Sequence, residues 1–349
     1  MSNVILYRQD DESLFLTYWN SFVQEQKADF RYFDENIETV RILSQERGFF
    51  QKDKSFIYIE SGQVLGCVFL LIEKHEGITS ATAAQGYLPA PLCIESKRVE
   101  KKVFSIIDNI AQEESADKVL FSIDPLQDNV DFNYLQSYNY LDTSILSYRI
   151  ELLPPDDILK SCRKGHRCDI KHMQLNPDIS AFVIDHTNSS YDLHEEYRAL
   201  HAKCSGGVTR SKETFDIQFD LLKKGKAFLV GLSYKGKNIA YAYFEHAFGK
   251  AIYYSGVDDP EYTNFPLYHM LLFRAMEYAQ NNNIVYIDVG QPASPSAQWD
   301  YYPDKKQLNI ATFKRGFHGK YISQYRGIKY FSRTCFEQDV EQFKNEYYI

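Results

Sequence analysis

Two groups of cations are the side chains best placed to do chemistry. Lys160, Arg163, Lys164, Arg167 and Lys171 recur at intervals of three, one, three and four, a spacing that sets five positive charges on one face of a single helix. Like charges so placed repel by a few tenths of a kcal/mol per pair, and Gly165 adds a cost of up to about 1 kcal/mol. A phosphate-bearing partner would offset both, because Arg grips phosphate bidentately and Lys meets it as a point charge; a solvated face paired with acidic neighbours is the plain alternative. The second group lies between Pro303 and Tyr330, where Lys305, Lys306, Lys314, Arg315, Lys320, Arg326 and Lys329 face Asp304 alone, a local excess of six positive charges. Lys314 offers a cation for a developing oxyanion or for a substrate phosphate, and Gly316 and Gly319 allow close backbone approach.

Three residues are candidate bases: Glu245 in a strand, Asp288 at a strand end and His269 early in a helix. Each has a structural reading as well, the carboxylates as caps or ion-pair partners and the histidine as a core residue. Trp299, Tyr301 and Tyr302 lie in GQPASPSAQWDYYPDKKQLNI, a roughly twenty-residue passage without regularity, of the kind that tends to be functional. Stacking on a sugar or base and covering the edge of a cleft fit these rings equally.

Both groups need a scaffold, and the stretch from Phe228 to Val289 supplies it. FLVGLSY, NIAYAYFEHA and AIYYSGV read as three strands joined by Gly-containing turns. In FPLYHMLLFRAMEYAQNNN, Leu267, Met270, Leu271, Arg274 and Tyr278 keep helical spacing after Pro266, and IVYIDVG adds a strand. The first half reads similarly. Residues 11 to 28 form an amphipathic helix followed by an acidic linker, and KSFIYIESGQVLGCVFLLIEK forms a hairpin. HEGITSATAAQGYLPAPLCI, with Pro89 and Pro91, is irregular or an edge strand; SKRVEKKVFSIIDNIAQEESA is a helix and KVLFSID a buried strand. The repeated order strand, strand, helix, strand suggests a degenerate pair of domains. Pro154 and Pro155 bar a helix from crossing between them, which sets the expected domains at 1–150 and 151–349.

A chain of 349 residues with 44% hydrophobic content suits two globular cores. A net charge of −8 excludes non-specific coating of DNA, which relies on broad phosphate neutralisation. No run approaches the roughly 18 apolar residues of a membrane span, and the N-terminus lacks the pattern of an export signal. The expectation is a cytoplasmic protein without an integral membrane segment. The six cysteines form no CxxC or CxxH pair, so neither a metal site nor a redox motif is expected.

Four passages, in order, resemble the FemABX-type aminoacyltransferases and their acetyltransferase-like relatives of the GNAT fold: SCRKGHRCDIKHM at 161–173, YYSGVDDPEYTNFPLYHMLLFRAMEYAQ at 253–280, IVYIDVGQ at 284–291 and FKRGFHGKY at 313–321. The resemblance implies an α/β (α+β) architecture of two tandem GNAT-like domains, each a mixed sheet flanked by helices. It implies that Arg163, Lys164 and Arg167 hold phosphate of a nucleotide-linked acceptor or of aminoacyl-tRNA. It also implies that Lys314, matching the family's Phe-Lys-x-x-Phe-Gly-Gly signature, sits at the reaction centre, although His318 stands where the family has glycine. Asp288 joins Lys314 as a catalytic candidate, and Tyr254, Ser255, Trp299, Tyr301 and Arg315 join the basic residues as candidate substrate contacts.

An acyl-CoA-dependent GNAT enzyme carries a glycine-rich turn before its main helix, whose amides cradle pyrophosphate. Here that turn reads DDPEYTNFPLYHM, without glycine and with three acids. The expected donor is therefore aminoacyl-tRNA, a co-substrate rather than a bound cofactor, and the expected reaction forms an amide on a nucleotide-linked muropeptide or amino sugar in cell-envelope (peptidoglycan) biosynthesis. Two alternatives stay open: acyl-CoA-dependent acetylation of an amino sugar of surface polysaccharide, and a non-catalytic binding module of the same fold.

Overall fold

A computed structural model describes residues 3–127, 130–295 and 298–347. The chain forms two compact units, one of Met1–Ile145, Ser294–Pro303 and Ser323–Ile349, the other of Leu146–Ala293 and Asp304–Ile322. Both are mixed α/β structures, as the sequence leads one to expect.

In the second unit seven strands lie in the order Ile179–Ile184, Ala227–Tyr234, Lys237–Ala247, Lys250–Asp258, Tyr286–Asp288, Ile145–Glu151 and Gly319–Gln324. The first four form an antiparallel meander. Its two tight turns, Lys235–Gly236 and Phe248–Gly249, each carry two positive φ angles, the two-residue geometry that matches strand twist. The helix Leu267–Asn281 then crosses over so that Tyr286–Asp288 pairs parallel with Lys250–Asp258. Along Lys237–Ala247 alternate side chains serve two cores. Ala240, Ala242 and Phe244 pack in the cluster that includes Leu271, Ala275 and Met276 of that helix. Tyr241, Tyr243 and Glu245 point the other way, where the helices Tyr191–Cys204 and Lys212–Lys223 lie.

The first unit repeats this order. Asn3–Tyr7 pairs with Phe56–Glu60 and that with Gln63–Val68, while Leu71–His75, Ile78–Ala81 and Lys118–Ser122 continue in a second sheet. Ile78–Ala81 and Lys118–Ser122 are parallel, with the helix Lys97–Glu113 between them in sequence. The helix Asp34–Glu46 occupies residues read as a linker, because Ile37 and Ile42 bury a stripe that few apolar residues announce.

Two expectations are corrected. The segment 323–349, expected in the second domain, lies in the first unit: Arg326–Tyr330 pairs antiparallel with Lys118–Ser122, and the helix Arg333–Tyr347 follows it there. A buried strand such as Lys118–Ser122 needs partners for its backbone on both edges, and only a distant segment supplies the second. The single basic helix is in fact two, Pro155–Ser161 and Lys164–Leu175, with Cys162 and Arg163 extended between them. The Arg163 amide donates to the Gly316 carbonyl at 2.8 Å and not into a helix, so the five cations do not share one face.

Candidate functional site

In the second unit the sheet opens where two parallel strands part. Their pairing ends at Ile252 and Asp288, while Lys250–Asp258 runs on to Asp258. Just beyond that point a bulge interrupts the antiparallel edge: Tyr243 faces Ser255, but Phe244 faces Tyr253, leaving Tyr254 as the extra residue. A bulge turns consecutive side chains to one side and recurs next to active sites. The Tyr254 ring meets Tyr243, and the Ser255 and Tyr197 hydroxyls lie 2.5 Å apart. This face is a buried polar layer. Tyr197, Tyr243 and Glu245 are at most 1% exposed, and Arg210 reaches in to bond Gln218 at 3.0 Å while lying 3.9 Å over the Phe215 ring. Burial, then the charge of Glu245, pushes the Tyr243 hydroxyl well above its ordinary range.

Asp288 closes the short strand and is 4% exposed. Its Oδ1 accepts the Ser147 hydroxyl at 2.5 Å and the Gly290 amide at 2.8 Å. Gly290 has φ +77°, and a Cβ there would stand 3.4 Å from Lys314 Nζ, so the ammonium lies over this turn. Lys314 ends the helix Lys305–Lys314, which starts in a capping box of Asp304 and Gln307. Burial lowers the ammonium's affinity for its proton, and the carboxylate of Asp288 opposes that shift. The result is a half-buried cation beside a buried anion at the mouth of the strand gap.

The helix Lys164–Leu175 abuts this turn through His166. The His166 Nε2–H donates to the Phe313 carbonyl at 2.8 Å, while Nδ1 faces Arg163 Nη2 at 3.3 Å and accepts, which fixes a neutral tautomer. The His269 ring lies 4.3 Å from that of His166, and its Nε2 is 3.6 Å from Asp169. Burial lowers both histidines, His269 to about 4 with the neighbouring His166 contributing. A Cβ on Gly316 would fall 1.9 Å from His166 Nε2 and one on Gly319 2.5 Å from the Arg149 carbonyl. The two glycines therefore admit a ring and a neighbouring strand, packing roles that their sequence pattern does not distinguish from substrate approach.

The two basic segments thus meet, but their cations are spent differently from expectation. Arg167 bonds the Lys160 and Cys162 carbonyls and caps the preceding helix, and Arg163 turns to His166. Lys164 and Arg315 are exposed, with Arg315 donating to Thr312 Oγ1. Trp299 and Tyr301 belong to the first unit, where the Trp299 indole donates to the Tyr330 hydroxyl at 3.0 Å and stacks on Phe336. Ser147 and Arg210 escaped notice. Ser147 alternates with Arg149 and Glu151 along its strand, so its residue type does not set it apart, and Arg210 sits in a loop with no pattern around it.

Neither the family models nor the curated proteins searched include a match to this chain. Among solved structures it resembles FemX, with 13% identity and a TM-score of 0.67 over 97% of this chain and 99% of that one. It also resembles L-PGS from Bacillus licheniformis, at 11% identity and TM-score 0.60 over 96% of each. A third is the C-terminal domain (DUF2156) of a protein described as a lysylphosphatidylglycerol synthetase from Agrobacterium fabrum, at 12% identity and TM-score 0.55, covering 88% of this chain and 95% of that one. The chain shares the fold of these three structures across nearly its full length.

Proposed function

We propose that this protein is an N-acyltransferase that moves an aminoacyl group from aminoacyl-tRNA to the amine of a phosphate-bearing acceptor, a nucleotide-linked muropeptide or amino sugar, in cell-envelope biosynthesis. The observation that carries the reading is the half-buried Lys314 ammonium beside Asp288, where the parallel strands part. In the proposed step the acceptor amine attacks the ester carbonyl, a C–N bond forms, the ester C–O bond breaks, and the amine proton leaves with the departing hydroxyl. Lys314 stabilises the oxyanion, a role worth most in a site poor in water. Asp288, fixed by Ser147 and Gly290, keeps that cation charged.

The turn before the main helix favours tRNA over acyl-CoA as the donor. Burial raises the Asp259 carboxyl, but bonds from Lys203, the Glu261 amide and Lys237 outweigh it and hold the group at about 2. A turn so committed to carboxylate and ammonium offers no amide cradle for pyrophosphate, and Pro266 has no amide to give. The fold of FemX and of a lysylphosphatidylglycerol synthetase supports transfer of this general kind.

The test is incubation with charged tRNA or acyl-CoA in parallel, over a panel of nucleotide-sugar amines, with amide products read by mass. Product only with charged tRNA is expected. Product only with acyl-CoA replaces this reading with the acetyltransferase one, and no product with either leaves a binding module.

A further inference from the structure

Two features lie outside the site around Lys314: the turn leading into GYLPAPL and the aromatic passage at 299–302. Both border one cavity of about 250 Å³ within the first unit. Its floor is aliphatic, made by Ile78, Leu120 and Ile328 from three adjacent strands. One wall is Trp299, held edge-on by Tyr330 and packed against Phe336 and Phe343 of the C-terminal helix. The same helix adds Asp339 and Gln342.

The opposite wall is built at a cost. Ala84 and Gln85 both hold left-handed φ angles, +49° and +70°, which residues with a Cβ rarely adopt. Glu73, 2% exposed, fixes them by accepting the Ala84 and Gln85 amides at 2.7 and 3.0 Å, and Gln85 is thereby set on the rim of the cavity. Ala83 and Gly86 close this two-residue turn by exchanging backbone hydrogen bonds at 3.0 and 2.8 Å, which fixes its place beside the cavity. The lining carries three carboxylates, Glu73, Asp300 and Asp339; Lys118 bonds Asp339 at 2.7 Å and Arg326 bonds Asp300 at 2.6 Å, which leaves the charge of Glu73 without a cationic partner in the lining.

An indole, an aliphatic floor, two side-chain amides and carboxylate acceptors complement a ring that has an apolar C–H face and donates hydroxyls from its edge. An anion would meet an excess of negative charge. We propose that the first unit binds a neutral or amino monosaccharide unit in this cavity, independently of Lys314 and Asp288.

Intrinsic fluorescence provides the test, because the chain has only two tryptophans and Trp19 is fully buried with its indole bonded to the Tyr32 carbonyl. Emission changes therefore report Trp299. The full chain is titrated with glucosamine, N-acetylglucosamine, glucose and glucuronate, with saturation-transfer NMR as a second readout. The expected result is saturable binding of one or more of the first three in the millimolar range, with glucuronate weaker by about tenfold or more. The double variant Gln85→Ala, Gln342→Ala should weaken that binding about fivefold or more without lowering the thermal midpoint, and Lys314→Ala should leave it intact. Absence of both fluorescence and saturation-transfer signals for every sugar, equal binding of glucuronate, or indifference to the double variant overturns the proposal. The acyl-transfer assay is a separate measurement, so either reading can fail without the other.

Discussion

Lys314 is valuable to the proposed chemistry because its environment disfavours its charge while Asp288 maintains it. Removing a donor from an oxyanion site typically costs 10²–10³-fold in turnover, about 3–4 kcal/mol. Lys314→Ala should therefore abolish nearly all product formation in the tRNA assay while circular dichroism stays unchanged; full turnover would remove the residue from the mechanism. Ser147→Ala takes a hydroxyl donor from a buried carboxylate and should cost about 1.5–3 kcal/mol in a urea titration, as hydrogen bonds to charged groups do. Asp288→Asn should erase most of that difference, because the serine acts through the charge. The histidines set a pH dependence whose sign follows from their depressed affinity for protons. Unfolded, they bind protons near the ordinary value of about 6.5; folded, His194 and His269 resist until about 4, each chiefly because of burial. Between those values the unfolded chain holds more protons, so stability is full above the upper value and falls as pH drops toward the lower. Each histidine contributes a slope of up to about 1.4 kcal/mol per pH unit. Urea midpoints at neutral and mildly acid pH should diverge, and His269→Leu should narrow the gap.

At the level of elements, local chemistry decided what could be read in advance. The meander, its two Gly-containing turns and the crossover helix follow from β-branched runs, punctuation and helical spacing, and they appear as expected. The break at Cys162 and Arg163 was invisible because its cause is the Gly316 carbonyl, more than a hundred residues away in sequence. Spacing and the family resemblance together suggest phosphate beside Arg167, whereas its guanidinium bonds two backbone carbonyls. Lys314 and Asp288 were legible as chemical types and as strand or motif ends, but Ser147 acquires meaning only once its strand is aligned beside Tyr286–Asp288. Gly316→Ala tests the contact between these elements directly. A methyl placed 1.9 Å from His166 Nε2 must displace the ring or the turn, and the expected loss is about 1–3 kcal/mol, visible as a lower thermal midpoint.

For the molecule as a whole, the strand Arg326–Tyr330 changes what counts as a domain. A cut at residue 150 looks natural from the two prolines that follow, yet a 1–150 fragment would lack the strand lying between Lys118–Ser122 and Leu141–Asp142. Expressed alone, that fragment should be insoluble or non-cooperative in urea. Mixed with a 151–349 fragment it should recover a cooperative transition, and a soluble, cooperative 1–150 fragment would show that the strand is dispensable. Among the described residues no helix is long and apolar enough to cross a membrane.

The return of Arg326–Tyr330 to the first unit also constrains synthesis. Domains usually fold as units in the order in which they leave the ribosome. Here Lys118–Ser122 must keep an open sheet edge until residues 326–330 have been made, while the unit encoded largely between them can close first.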